Sequence, residues 1–257
     1  MKFYGLLLSL ALTMGLPIQA QPRPAQVAIA AAGDLRGVLE ELKAGFEAGH
    51  PGIQLQLSFG ASGSLTAQIQ QGAPFDLFLS ADEGFPLQLQ KAGLATAQDT
   101  FRYATGSLTL WVRKDLALDP ASNGWQVLLS PAVKKIAIAN PQVAPYGRAA
   151  DAAMRKVGIY DKVQPRLVFA DNIAQAGQFL QAGSAEAGLI SAAQANNPVL
   201  RQSGVIWTVP ADTYPALRQA GVILLRSTLQ EQARAFRSYL LGGEGQAILA
   251  RHGFAKP

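Results

Sequence analysis

The sequence predicts an α/β fold of two lobes, each a mostly parallel β-sheet flanked by helices, with a ligand cleft between the lobes. Short apolar, strand-like runs alternate with segments whose apolar residues recur every three or four positions. Strands that alternate with helices favour parallel sheets covered on both faces. The chain contains two such sets and returns toward the first near residues 211–215. We therefore expect lobe I to comprise residues 21–104 and 212–257, and lobe II to comprise residues 105–211.

The first set consists of strands that are each followed by a helix. Its first helix is amphipathic, because Leu35, Val38 and Leu42 fall on one face. The run at 76–80 is short and mostly apolar, which is typical of a strand buried on both faces. The predicted strands are 26–31, 53–59 and 76–80, and the predicted helices are 35–46, 64–71 and 83–92.

The second set begins after residue 106 and continues the alternation to the C-terminus. Its predicted strands are 107–112, 136–139, 167–169, 187–190, 205–209 and 222–225. Its predicted helices are 148–157, 173–182, 191–195, 228–241 and 245–252. In sheets of this kind a ligand binds beyond the carboxyl ends of the strands, where loops lead into helices.

Residues 1–20 are predicted to be a cleavable secretory signal and not part of the fold. Lys2 supplies a positive charge, residues 6–16 form an apolar run, and Ala20 is a small residue suited to cleavage. The run is too short to span a bilayer, and an uncleaved membrane anchor is the alternative. The sequence contains no cysteine, so it has neither disulfides nor a lipid-bearing cysteine. We therefore expect a periplasmic protein held together by its core.

The charge pattern argues against nucleic acid as a partner. The formal net charge is +5 at pH 7, but the basic residues are scattered, and Lys134-Lys135 is the densest pair. Nucleic-acid-binding proteins usually carry a basic face or clustered basic residues. We therefore expect no nucleic-acid partner.

The sequence offers little that could carry out catalysis. Its two histidines, His50 and His252, lie in a turn and near the C-terminus, away from any junction between a strand and a helix. Without cysteine there is no recognisable spacing of metal ligands. The segment 60–64 has its second glycine one residue too early for the nucleophile turn of the α/β hydrolases. We predict no enzymatic activity and no cofactor.

Four junctions between a strand and a helix have a composition suited to binding an anion. They contain small or hydroxylated residues, and each exposes the N–H groups of a first helical turn at the positive end of the helix dipole. A single junction of this kind is ordinary helix capping. Four of them, two in each lobe, indicate a cage of converging N–H groups. The junctions are 30–35, 60–64, 140–148 and 170–173.

A series of motifs extends in order over nearly the whole chain after the signal. The most specific is Gly72-Ala73-Pro74-Phe75-Asp76-Leu77-Phe78-Leu79-Ser80-Ala81-Asp82. The others are 30–32, 59–65, 144–150, 171–173, 214–215 and 251–254. With these motifs the chain resembles the periplasmic molybdate-binding proteins of ABC importers. The resemblance implies a periplasmic binding fold of type II that closes over a tetrahedral oxyanion held by hydroxyls and backbone N–H groups.

The resemblance also implies which residues hold the anion. Ser62 matches a serine that donates through its hydroxyl and its N–H. Tyr146 falls on the third junction, where its N–H and its hydroxyl would serve, and Ile173 falls on a position of the fourth that uses only its N–H. Asn172 and Ser191 are further candidates. Molybdenum would be present only as the bound oxyanion, with no direct ligand from the protein.

The first junction departs from the pattern of the family. Members usually have Ser or Thr after the alanines, whereas this chain has Gly33, followed by Asp34. Gly33 removes one hydroxyl, but the N–H groups of both residues remain, so both belong to the predicted site. Asp34 should repel a dianion unless its carboxylate points away as a cap. Some members have a tyrosine at the position of Ser191, and Tyr146 would supply that phenol from another loop.

We thus predict a monomeric solute-binding protein that captures molybdate, and also tungstate, for the membrane permease of an ABC importer. Gly33 and Asp34 leave open a different oxyanion, such as sulfate, phosphate or an organic acid. The alternative from another class is a secreted hydrolase that uses Ser62 or Ser64. Such an enzyme would need a base close to the hydroxyl.

Overall fold

The computed structural model describes residues 24–257, which form two five-stranded sheets flanked by helices. The strands are β1 (Ala25–Ala32), β2 (Ile53–Gly60), β3 (Leu77–Ser80), β4 (Ala95–Gly106), β5 (Leu108–Arg113), β6 (Ile136–Ala139), β7 (Leu167–Ala170), β8 (Ala187–Ser191), β9 (Gly204–Thr208) and β10 (Leu217–Leu224). The helices are α1 (Arg36–Gly49), α2 (Ser62–Gln70), α3 (Gly84–Lys91), α4 (Pro120–Asn123), α5 (Pro145–Lys156), α6 (Tyr160–Val163), α7 (Ile173–Gln181), α8 (Ala192–Ala195), α9 (Pro198–Ser203), α10 (Gln230–Leu241) and α11 (Gly243–Arg251). Short 3₁₀ segments lie at Gly33–Leu35, Lys114–Leu116, Gly124–Leu129, Gln164–Arg166 and Ala211–Thr213.

The two sheets share one topology. Their strand orders are β2-β1-β3-β10-β4 and β7-β6-β8-β5-β9. In each order the first three strands are parallel, and the fourth is antiparallel to both of its neighbours. Four strands of each sheet therefore run in one direction and one runs in the other. The predicted fold class, two lobes of mostly parallel sheet flanked by helices, is confirmed.

The chain passes between the two sheets at two places. Strand β4 ends at Gly106 in the first sheet, and β5 begins at Leu108 in the second. The return runs from the end of β9 at Thr208 to the start of β10 at Leu217. Both crossings lie close to the lobe boundaries that the sequence predicts. The assignment of residue ranges to each lobe remains a prediction.

Several elements differ from the sequence-based expectation. The sequence does not predict strand β4, because its residues alternate irregularly. It lies at the edge of its sheet, where polar side chains can face solvent, and it pairs with strand β10 and, through one bridge from Thr105, with Ala255. Strand β10 starts at Leu217 and not at 222. Helix α5 starts earlier than predicted, at Pro145, which suits the first helical position. The short helices α4, α6 and α9 escape prediction because such segments carry no periodic signal.

The core consists of the apolar faces of helices packed on the sheets. Helix α1 buries Val38, Leu39, Leu42 and Phe46, as its apolar spacing predicts. The largest apolar cluster is centred on the second sheet, and it extends to three small residues at the ends of the first-sheet strands: Ala32, Ala61 and Ala81. The two lobes therefore meet through small apolar side chains at the ends of β1, β2 and β3.

The predicted signal, residues 1–20, lies outside the described residues. Within residues 24–257, no helix is both long enough and apolar enough to cross a membrane.

Candidate anion-binding site

A small cavity lies where the parallel strands of the two sheets end. All of the residues that line it are buried except Gly60. The centre of a water-sized sphere can occupy about 10 Å³ of the cavity. All four predicted junctions contribute to its lining, which consists of Ala32, Gly33, Asp34, Gly60, Ala61, Ser62, Ala81, Ala144, Pro145, Tyr146 and Ile173.

The side chains of the lining are mostly small or apolar, a few are polar and none is cationic. It contains no Lys or Arg, and its polar side chains are those of Asp34, Ser62 and Tyr146. Gly33 opens the 3₁₀ turn before α1, Ser62 opens α2, Tyr146 is the second residue of α5, and Ile173 opens α7. The N–H groups of first turns have no acceptor within their own helix. Together with the helix dipoles they create a positive potential that suits an anion.

Two glycines allow the lobes to approach closely beside the cavity. The N–H of Gly63 donates to the Val143 carbonyl at 2.9 Å, and a Cβ on Gly63 would lie 2.9 Å from the same oxygen. A Cβ on Gly33 would lie 3.0 Å from Asn172 Oδ1 and 3.1 Å from the Ala174 nitrogen. A side chain at either glycine would push the lobes apart, so the two lobes are in a closed arrangement.

Ser62 is fully buried and is oriented to donate. Its Oγ accepts a hydrogen bond from the Ala81 N–H at 3.1 Å, and its carbonyl accepts one from Thr66 Oγ1 at 2.8 Å. A hydroxyl that accepts in this way still has its own proton to donate. Both the hydroxyl and the N–H of Ser62 are therefore available to a ligand in the cavity.

The hydroxyl of Tyr146 lies beside Asp34 and Gln219. Gln219 Nε2 lies 3.3 Å from the Tyr146 oxygen, and the hydroxyl is hydrogen-bonded to the Asp34 carboxyl group. Burial, and then the charge of Asp34, raise the pKa of Tyr146 well above its usual value, so the phenol keeps its proton. A Cβ on Gly106 would lie 2.2 Å from this hydroxyl oxygen, so only glycine fits at the end of β4.

Asp34 lines the cavity and is only 2% exposed. Gln219 Nε2 donates to Asp34 Oδ2, whereas Oδ1 has no hydrogen-bond partner within residues 24–257. Burial raises the pKa of Asp34 to about 6, although hydrogen bonds from Gln219 and Tyr146 act in the opposite direction. The carboxyl group is therefore not an exposed helix cap, and its charge bears directly on any anion in the cavity.

Of the remaining predicted residues, Ile173 lines the cavity, but Asn172 and Ser191 do not. Asn172 caps α7, where its side chain accepts from the Gln175 N–H at 3.2 Å. Ser191 caps α8 and forms a capping box with Gln194. The structure thus gives Asn172 and Ser191 helix-capping roles and does not bring them to the cavity.

Comparison with known proteins places the chain in a family. The family model for bacterial extracellular solute-binding proteins matches residues 27–255. The chain belongs to this family. Two relatives of this solute-binding protein are the molybdate-binding proteins ModA of Azotobacter vinelandii, 36% identical over 96% of both chains, and of Rhodobacter capsulatus, 34% identical over 96% of this chain and 94% of the relative.

A solved structure supports the same relationship. The periplasmic molybdate-binding protein of Azotobacter vinelandii matches this solute-binding protein with a TM-score of 0.83 at 33% identity, covering 90% of this chain and 99% of the other. The resemblance that the motifs predict is confirmed.

Two residues of the site in this solute-binding protein were missed by sequence reasoning. Gln219, fully buried on β10, bonds to Asp34 and Tyr146. A glutamine in a strand that is otherwise mostly apolar is the signal that could have found it. Ala81 orients the Ser62 hydroxyl through its N–H, and it belongs to the 72–82 motif.

A cation lies near the cavity but outside it. Arg148 Nη2 pairs with Asp82 Oδ2 at 2.6 Å, and the guanidinium lies over the Phe85 ring, 5.2 Å from its centroid. Asp82 follows β3 of the first sheet and Arg148 lies on α5, so the pair joins the two lobes. Both line a separate, more open cleft of about 460 Å³.

The histidines are engaged elsewhere. His50 stacks on Phe46, with ring centroids 4.2 Å apart, and His252 pairs with Glu41 at 2.7 Å. Neither lines the cavity. In the part of the chain that the structure describes, no group of three His, Cys, Asp or Glu side chains is placed to hold a metal ion.

Proposed function

We propose that this solute-binding protein captures molybdate, and also tungstate, in the periplasm and delivers it to the permease of an ABC importer. The observation that carries the proposal is the small cavity between the lobes, whose lining includes first helical turns and the hydroxyls of Ser62 and Tyr146 and contains no Lys or Arg. The relatives named for molybdate binding support the choice of anion.

The anion is held by uncharged donors. Ser62 donates its hydroxyl and its N–H, and the N–H groups of Gly33, Asp34, Tyr146 and Ile173 complete the cage. A hydrogen bond to a charged acceptor contributes about 1.5–3 kcal/mol. The aligned helix dipoles add to this without the desolvation of a buried cation.

Selectivity among tetrahedral anions follows from the fixed spacing of the donors. The donors lie on buried first turns, so they cannot move inward to follow a smaller anion. Sulfate and phosphate have shorter bonds than molybdate and tungstate and would leave some donors unpaired. Each unpaired buried donor costs about 1–3 kcal/mol, which favours the larger anions.

Binding is coupled to closure of the lobes. The hydrogen bond from Gly63 to Val143 and the ion pair between Asp82 and Arg148 both join the two lobes beside the cavity. The chain crosses between the sheets at 106–108 and 208–217, where a hinge would act. A ligand that contacts donors from both lobes therefore stabilises the closed form.

The proposal includes no covalent chemistry and no cofactor. Ser62 Oγ is bonded to the Ala81 N–H and not to a base, and the two histidines contact Phe46 and Glu41. The hydroxyl of a serine hydrolase would instead be hydrogen-bonded to a general base.

We also propose a monomer that has the permease as its protein partner and no nucleic-acid partner. Obligate dimers usually pair through a contiguous surface that is more apolar than the rest. Large exposed apolar side chains in the described chain lie on separate elements instead: Leu87, Phe169, Val199, Leu225 and Leu241.

A second candidate ligand is a protonated oxyanion such as hydrogen phosphate. Asp34 in the lining is the observation that favours it, because an ionised carboxylate could accept the hydrogen of such an anion.

Thermal unfolding of the mature protein with each anion tests the proposal. A ligand at about 1,000 times its Kd adds about 4 kcal/mol to the free energy of unfolding. Each kcal/mol raises the Tm of a chain of this size by about 2–4 °C. We expect a clear rise with molybdate and with tungstate and a smaller one with sulfate or phosphate at the same concentration. A rise with phosphate and none with molybdate or tungstate would overturn the assignment.

A further inference from the structure

An acidic side chain in the lining of an anion cavity conflicts with the charge of the ligand. Asp34 is buried there, and no Lys or Arg of the lining offsets it. A carboxylate and a dianion at contact distance repel each other strongly where the dielectric constant is low. The repulsion is relieved if the carboxyl group carries a proton.

The hydrogen bonds of Asp34 fit a protonated carboxyl group. Oδ2 accepts from Gln219 Nε2, the Tyr146 hydroxyl is bonded to the same carboxyl group, and Oδ1 has no partner within residues 24–257. A neutral carboxyl group needs one oxygen that accepts and one O–H that donates. Oδ2 meets the first requirement. Oδ1 is the oxygen that is left to carry the proton, and it lacks an acceptor from the protein.

Among residues 24–257 no cation is placed to stabilise the charged form of Asp34, and only hydrogen bonds such as those from Gln219 and Tyr146 favour it. Arg36 of α1 stacks over the Phe59 ring, 4.5 Å from its centroid, and His252 pairs with Glu41. Helices α7 and α8 carry no charged residue. The titratable groups that face Asp34 from the other elements are the neutral phenols Tyr103 and Tyr146. With burial as the main cause, the pKa of Asp34 is about 6, well above its usual range.

We propose that Asp34 is protonated in the anion complex and donates its carboxyl hydrogen to an oxygen of the bound dianion. The free protein takes one proton from solvent when the dianion binds and returns it when the anion leaves. Asp34 then supplies the side-chain donor that Gly33 lacks. The proposal rests on the proposed function. It adds that one proton is taken up for each dianion bound, and that Asp34 is the residue that distinguishes a dianion from a protonated anion.

Titration calorimetry of the mature protein with molybdate tests the proposal. Measurements run from about pH 6 to about pH 9, in pairs of buffers that differ in ionisation enthalpy. We expect uptake of nearly one proton per anion well above pH 6. The Kd should then rise about tenfold for each pH unit. This readout uses the unmodified protein, so it does not depend on the folding of a variant.

Two variants with the same change of charge separate the role of Asp34 from general electrostatics. Asp34→Asn keeps a donor but cannot titrate, so its Kd should be independent of pH and binding should take up no proton. Asp161→Asn removes the same charge from an exposed position and should keep the pH dependence of the wild type.

These experiments distinguish a failure of the proposal about Asp34 from a failure of the proposed function. Tight molybdate binding with a pH-independent Kd and no proton uptake would overturn the role of Asp34 and leave the proposed function standing. The same is true if Asp34→Asn keeps the slope of the wild type. Absence of molybdate binding at every pH would overturn the proposed function, and the role of Asp34 with it.

Discussion

Ser62 is the residue whose side chain contributes most to hydrogen-bond donation to an anion in the cavity. Gly33 has no hydroxyl, and the hydroxyl of Tyr146 is bonded to Asp34, whereas Ser62 receives a bond from Ala81 and keeps its own proton for the ligand. We expect Ser62→Ala to weaken molybdate binding by about 1–3 kcal/mol, as measured by titration calorimetry.

The matched control for this change is Ser64→Ala, two residues further along the same helix and outside the cavity lining. Its affinity should equal that of the wild type. If Ser62→Ala binds molybdate as tightly as Ser64→Ala does, the anion is not held where we place it.

At the level of individual residues, the sequence predicts the strand–helix junctions better than it predicts the contacts between them. Small residues and first helical turns are local features, so the four junctions could be found from composition and spacing, whereas Ser62 and Ile173 within them were singled out by the family resemblance. The bond between Asp34 and Gln219 joins residues 185 positions apart, and no local pattern indicates it. The direction of the Asp34 side chain therefore had to come from the fold.

At the level of secondary-structure elements, helix α2 contacts the segment before α5 closely. This contact limits the size of the side chain that fits at position 63 of α2, which is Gly63. A Cβ there would lie 2.9 Å from the Val143 carbonyl, which belongs to the other lobe. We expect Gly63→Ala to weaken molybdate binding by about 1–3 kcal/mol, because overpacking disfavours the closed form. The Tm of the ligand-free protein should change much less.

Gly37→Ala provides the control, since a Cβ on Gly37 of α1 has no neighbour within 4 Å. This variant should bind molybdate normally and gain up to about 1 kcal/mol of stability from helix propensity. Normal binding by Gly63→Ala would show that the closed contact is not required for ligand capture.

Strand β4 is held to α10 by a partly buried ion pair. Arg234 Nε lies 3.1 Å from Asp99 Oδ1, and this hydrogen-bonded pairing lowers the pKa of Asp99. A lowered pKa stabilises the fold above the usual pKa of an aspartate, about 3.8, and the stabilisation is lost as the pH falls through the folded value.

We expect Asp99→Asn to reduce the free energy of unfolding by about 1–3 kcal/mol at neutral pH in urea titrations. The difference from the wild type should shrink below about pH 4. The exposed Asp115, paired with Arg113, serves as control, and Asp115→Asn should cost less than about 1 kcal/mol. A deficit for Asp99→Asn that is the same at neutral and acid pH would contradict this role of the ion pair.

The sequence predicts best those helices and strands whose apolar residues recur at regular spacing. Helix α1 and the buried β3 have clear apolar patterns and were found, whereas β4 was missed. An edge strand such as β4 takes its conformation from pairing with β10, which the residues of β4 alone do not indicate.

For the whole molecule, the alternation of strands and helices is enough to predict two lobes and a cleft. How closely the lobes approach depends on Ala32, Ala61 and Ala81, which join the apolar cluster of the opposite lobe. Their small size is visible in the sequence, but their meeting across the cleft is a property of the assembled fold. The closed cavity could therefore be read only from the structure.

The claim that the anion binds in the cavity between the lobes is tested most directly by diffraction at the molybdenum absorption edge. The crystals are of the mature protein grown with molybdate. We expect a single anomalous peak inside the cavity lined by Ser62, Tyr146 and Ile173, with the oxygens around it facing first-turn N–H groups. A peak found only in the open cleft beside Arg148, or no peak at all, would contradict the assignment of this cavity as the binding site.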